Sequence, residues 1–181
     1  MSEFTPDDAF GLLRSFTRHV GFVKLALTAV AHDLERRALR HDLSKMMDDE
    51  FSGFARINAA ARINKFGSPE YSESMQRERP TIDLHFSRNS HHAEHQPQSF
   101  MDVIEMVCDW WGAKQGYDDP RPWEATVELN IATKGKYLTP EQLWLAREVA
   151  AFISAEARNL ASPPVGKLAV PGLGGVGGAE T

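Results

Sequence analysis

The chain has 181 residues, 42% of them apolar and 25% charged, which is enough for one domain with a proper core and short for two. A formal charge of −5 gives no global reason to expect nucleic acid as a partner, although Arg36, Arg37 and Arg40 form a local basic patch that otherwise reads as a solvated helix face. The single cysteine, Cys108, excludes an intramolecular disulfide and a cysteine-based zinc ribbon, and its apolar surroundings mark it as a small core residue.

No stretch approaches a membrane span, and Met1-Ser2-Glu3-Phe4 has neither a positive region nor a long apolar one, so the expectation is a cytoplasmic protein with no membrane partner. Leu13, Phe16, Val20, Val23, Leu27, Val30 and Leu34 then step by three and four along one long first helix, predicting a buried stripe. Thr5-Pro6-Asp7-Asp8 starts that helix with a hydroxyl cap, a proline in the first turn and acids at the positive end of the dipole. A short helix ending near Lys45 follows, then one over 48–66, a Gly-Ser-Pro break at 67–69, and a polar segment leading into a helix over 81–89. Ser99 with Asp102 resembles a capping box before the apolar run that ends at Trp111, and Thr139-Pro140-Glu141-Gln142 opens a last helix. The order predicts an all-α, single-domain bundle of about six helices over 1–161. Three prolines and six glycines in 162–181, with no apolar periodicity, predict a disordered tail.

Chemistry concentrates in the histidines. Four of the seven, His85, His91, His92 and His95, fall within eleven residues. Neutral nitrogen together with anionic oxygen suits Mn, Fe, Co, Ni or Zn, one ion or two. His41-Asp42 offers both donor types from consecutive residues, provided a helix end turns both inward, and Lys45 brings positive charge to the same place. His19 lies on or beside the first stripe, where a histidine is more commonly a satisfied core residue than a ligand. His32-Asp33 lacks the small residue and lysine that follow His41 and reads as helix surface. Glu105 and Asp109 stand one turn apart in an almost wholly apolar helix, so at least one must be paired or metal-bound. Trp110, Trp111 and Trp123 read as a core aromatic cluster rather than a base-stacking surface.

A lone histidine, then His41-Asp42-Leu43-Ser44-Lys45, then His91-His92, then Asp109 in a helix resembles the HD-domain superfamily of metal-dependent phosphohydrolases. The run from His85 through Arg88-Asn89 to His91-His92, followed by Glu105-Met106-Val107 and Asp109-Trp110, is similar to a group of small bacterial and phage proteins with the same order. The resemblance covers roughly 19–113. It implies His41, Asp42 and Asp109 as ligands of a first metal, His19 as the upstream histidine, and His85, His91 and His92 as completing that site or making a second. The Gly-Tyr-Pro element of the HD-GYP branch is absent after His92, so cyclic di-guanylate has no support as a substrate.

The implied activity is hydrolysis of a phosphate mono- or diester, such as a nucleotide. Asp42 would hold the metal and orient a water, Lys45 would stabilise charge on the phosphate, and one of His91, His92 or His95 would protonate the leaving oxygen. Arg88 and Asn89 would contact substrate or brace the ligands. Two other classes share these features: a di-iron oxygenase on the same scaffold, and a non-catalytic helical module that binds metal or nucleotide.

Overall fold

The computed structural model describes residues 5–64, 68–94, 98–117 and 119–156, and among them the chain is helical with no strand. Seven α-helices follow one another: α1 (Pro6–Arg40), α2 (Asp48–Ile63), α3 (Pro69–Arg77), α4 (Arg79–Arg88), α5 (Phe100–Gly116), α6 (Trp123–Lys134) and α7 (Pro140–Glu156). A 3-10 turn over Leu43–Met46 links α1 to α2. The expected all-α bundle is therefore present. The expected tail over 162–181, and His95, lie outside the described residues.

Local sequence explains the helix starts. Thr5 and Asp8 form a reciprocal capping box, as do Ser99 and Asp102. At α7 the Thr139 N–H donates to Gln142 Oε1 at 2.9 Å and the Gln142 N–H to Thr139 Oγ1 at 3.3 Å. Each box satisfies two N–H groups that no helical carbonyl can reach. The polar segment before 81–89 is itself a helix, α3, capped by Ser68 and begun by Pro69. With nine residues and little apolar content it lacks the periodicity that would reveal it.

The core sits where α5, α6 and α7 meet. Val103, Met106, Val107 and Trp110 make the buried stripe of α5, at the spacing of one helix face, against Trp123 and Val127 of α6 and Ala146, Ala150 and Ile153 of α7. Trp123 also donates Nε1–H to the Ala150 carbonyl at 2.9 Å, and Trp111 stands edge-on to it at 5.2 Å. The tryptophans are core, as expected. Cys108 is not: one position past Val107, it turns off the buried stripe and is exposed.

The larger correction concerns α1. None of its residues is buried, and the stripe from Leu13 to Val30 faces outward. Only the last turns reach the domain, where they meet α5. His19 and His32 are both exposed on this helix. His19 precedes His41 by 22 positions along one continuous helix, a separation of about 33 Å at 1.5 Å per residue, so the two cannot share an ion.

At the other end of the domain α2 crosses α4 at Gly53. A Cβ there would lie 2.6 Å from Thr81 Cγ2 and 2.8 Å from Thr81 Cβ, inside van der Waals contact. Gly53→Ala is expected to destabilise the protein by about 1–3 kcal/mol in urea unfolding despite the better helix propensity of alanine. Adding Thr81→Ala should recover part of that loss, because the side-chain atoms beyond Cβ are removed.

Candidate metal centre

α1 ends at His41, and Asp42 follows in the left-handed conformation at φ 57° and ψ 13°. Asp is one of the few side-chain-bearing residues that tolerate this region. The turn stops the helix and swings the carboxylate back toward the domain, so consecutive residues present nitrogen and oxygen to one place. Asp42 Oδ1 lies 3.1 Å from His85 Nε2 and 3.5 Å from His91 Nε2, and Oδ2 lies 3.5 Å from His41 Nε2. Lys45, one turn on, pairs with Oδ2 while its ammonium sits 4.9 Å from the Phe54 ring centre.

Carboxylates stand behind the histidines. His85 Nδ1 is 2.8 Å from Glu50 Oε2, and the Nδ1 atoms of His41 and His91 are 3.1 Å and 3.3 Å from Glu105 Oε1. In each ring this contact leaves Nε2 facing the centre, the arrangement that fixes tautomer and direction in metal-binding histidines. His41 Nε2 also meets Asp109 Oδ1 at 3.2 Å. Glu105 and Asp109 of α5 are thus both paired.

The supports are themselves anchored. Glu50 is fully buried and accepts from Ser44 Oγ at 2.9 Å and from Arg88 at 3.1 Å. Arg88 further grips Asp49 at 2.9 Å and 2.6 Å, and Asn89 donates to Ser44 Oγ at 2.9 Å. Arg37 donates to Asp102 at 2.7 Å and to Glu105 at 3.1 Å, tying the end of α1 to α5. Arg88 and Asn89 therefore brace the groups behind the histidines, and both also line a cleft beside His91.

Four buried atoms have no aligned hydrogen-bond partner among these contacts: Asp42 Oδ1 and the Nε2 atoms of His85, His91 and His92. The residues that carry them each offer a ligand atom within 4.8 Å of all the others. Unpaired polar atoms are costly in a protein interior, and four that converge from an αL turn, a helix and a loop fit a cation as their common partner. One carboxylate and three imidazoles match a divalent transition ion. His41, His91 and Asp109 make an adjoining group that shares His91. Of the ligands expected from the sequence, His41, Asp42, His85, His91, His92 and Asp109 come together, and His19 does not.

Protonation follows from the same contacts. Hydrogen bonds to Asp109 and then to Glu105 push His41 up to about 10. Burial alone would raise Asp42, but the His85, His91 and Lys45 contacts outweigh it and hold the carboxyl far below its ordinary range. Burial and the neighbouring His91 and His85 push His92 down to about 2, leaving it neutral and able to ligate.

Glu50 is absent from the sequence-based expectations, since in Asp48-Asp49-Glu50 it looks like one more acid at a helix start. Its role has a direct consequence. Glu50→Ala leaves His85 and Arg88 without their buried partner and is expected to cost about 3–5 kcal/mol in chemical denaturation, with Glu50→Gln losing less.

Among known proteins, no curated protein and no solved structure matches this chain. Residues 9–159 match a family of unknown function, DUF5662, and the match spans all seven helices except the first three residues of α1. The chain belongs to that family.

Proposed function

We propose that this protein is a metal-dependent phosphohydrolase acting on a phosphate mono- or diester, with a nucleotide as the favoured substrate class. The observation that carries the reading is a basic cleft that abuts the buried His/Asp group at His91. The cleft has a volume of about 450 Å³, and Arg36, Arg37, Arg40 and Arg88 line it beside His91 and Glu105. A small-molecule site commonly falls between 300 and 1,000 Å³. Arg37 and Arg88 are tied down by carboxylates, and Arg36 shares Asp33 at 2.9 Å. Arg40 makes no ion pair among the described residues, so its guanidinium is the cation free to receive phosphate oxygens.

The roles divide by position. Asp42, His85, His91 and His92 hold one ion. A divalent ion there supplies Lewis acidity, making a water ionisable near neutral pH and offsetting charge on a phosphoryl group. Lys45 neutralises the second oxygen of Asp42 and keeps that carboxylate in its strained turn. His41, held protonated by Asp109 and Glu105, is the proton donor for the leaving oxygen. His92 is unsuited to that step, because its burial leaves it without a proton near neutrality. The sequence resemblance to the HD-domain superfamily points to the same chemistry.

Metal analysis with a screen of nucleoside phosphates and phosphodiesters tests this reading. Activity that needs a divalent ion supports it. A protein that binds metal but cleaves no phosphoester, or one that is coloured, iron-loaded and oxygen-consuming, would overturn it. Asp42→Ala is expected to lose metal and activity together, along with the thermal stabilisation that metal provides. Lys45→Ala should keep the metal and slow turnover by on the order of a hundredfold. Arg40→Ala should mainly raise KM, by roughly tenfold, with metal content unchanged, because it removes binding that substrate and transition state share.

A further inference from the structure

The stripe of α1 has no partner in the domain. Leu13, Phe16, Val20, Val23, Leu27 and Val30 are between 42% and 65% exposed, on a helix in which nothing is buried. Their spacing alternates three and four without a break, placing Leu13, Val20, Leu27 and Leu34 at the a positions of a heptad and Phe16, Val23 and Val30 at d. A strict seven-residue repeat is the pattern by which two α-helices supercoil around one another. The next d and a positions are Arg37 and His41, so the seam becomes polar where α1 meets α5 and the metal centre begins.

We infer that α1 is a self-association helix, pairing seam to seam with α1 of a second copy of this chain. Three observations select that occupant. A heptad seam is complementary to itself, as the equivalent patches of a two-fold interface must be. The six seam residues with Phe10 and Leu12 beside them present on the order of 800 Å² of apolar side chain, the share per partner of a standard stable interface. Finally, the rest of this chain has no matching repeat to offer: α5, α6 and α7 spend their buried faces on one another, and 162–181 contains three prolines and six glycines. A patch of this size left in water would exceed what monomeric proteins ordinarily expose. The opposite face of α1 also carries exposed apolar groups, Phe22 at a c position and Leu25 at an f position, but without a heptad repeat.

The experiment is sedimentation equilibrium on the full chain at micromolar concentration, for the wild type and two paired variants. The wild type should have twice the chain mass. Val20→Glu with Leu27→Glu, which puts like charges into the seam, should give a monomer. Phe22→Glu with Leu25→Glu, equally exposed on the same helix but off the seam, should remain a dimer. Helicity by circular dichroism and metal content should be retained in the first pair, because Val20 and Leu27 are exposed. A monomeric wild type would overturn the inference, including one in which the segment after 156 covers the helix. So would a dimer that survives the seam charges, that is broken equally by the off-seam pair, or that is broken instead by Trp144→Glu on the exposed apolar face of α7.

Discussion

The contact between a carboxylate and the Nδ1 atom of His41, His85 and His91 is the constraint on which the centre depends. An imidazole that donates from Nδ1 to a fixed acceptor can present only Nε2 to the other side. Glu50 imposes this on His85, and Glu105 on both His41 and His91. A carboxylate as deeply buried as Glu50 needs compensation from several donors. Ser44 and Arg88 supply it, and Arg88 in turn is held by Asp49. The acids that open α2 therefore work at two levels: they face the positive end of that helix's dipole, and they anchor the network behind the ligands.

Glu105 has a second consequence, because the joint between α1 and α5 is polar. Arg37 bonds to Asp102 and Glu105, and Asp102 is also the capping residue of α5 and an acceptor for Ser90 at 2.6 Å. Charge-assisted bonds of this kind are directional and fix angle as well as distance. The end of α1 that carries His41 is thus set by the start of α5. Before that joint the 23 residues from Phe10 to His32, roughly 35 Å of helix at 1.5 Å per residue, are all exposed among the described residues.

How much of this could be read from residues alone depends on the range of the interaction. Helix starts were legible because a capping box is a contact over three residues, and Thr5, Ser99 and Thr139 each opened a helix where expected. The convergence of His41-Asp42, the middle histidines and Asp109 was legible because it rested on the order of unusual residue types. The Thr5-to-Arg40 helix was legible as a helix, but not its exposure: periodicity reports that one face is apolar and is silent on what meets it. The family resemblance placed His19 among the ligands, and periodicity could not show that its helix stands in the open. Glu50 escaped for the opposite reason, since burial of one acid among three depends on where α4 passes, a contact separated by 35 positions. Cys108 turned outward by a single step of helical phase.

A proton and a divalent ion would compete for the same nitrogens here. His41 is raised to about 10 and His91 is raised as well, so without an ion both are drawn toward their protonated forms by Asp109, Glu105 and Asp42. A histidine whose folded value exceeds its unfolded one stabilises the fold fully below the unfolded value, near 6.5, and that support is lost as pH rises through the folded value. Binding of an ion runs the other way, because each ligating imidazole must first lose its proton, and it strengthens as pH rises. The carboxylates serve both states: Glu105 stabilises an imidazolium when the centre holds protons and orients a neutral ring when it holds a cation. His92, held neutral by burial, keeps its ring nitrogens without a second proton, so it can join the buried group as a donor without first losing one.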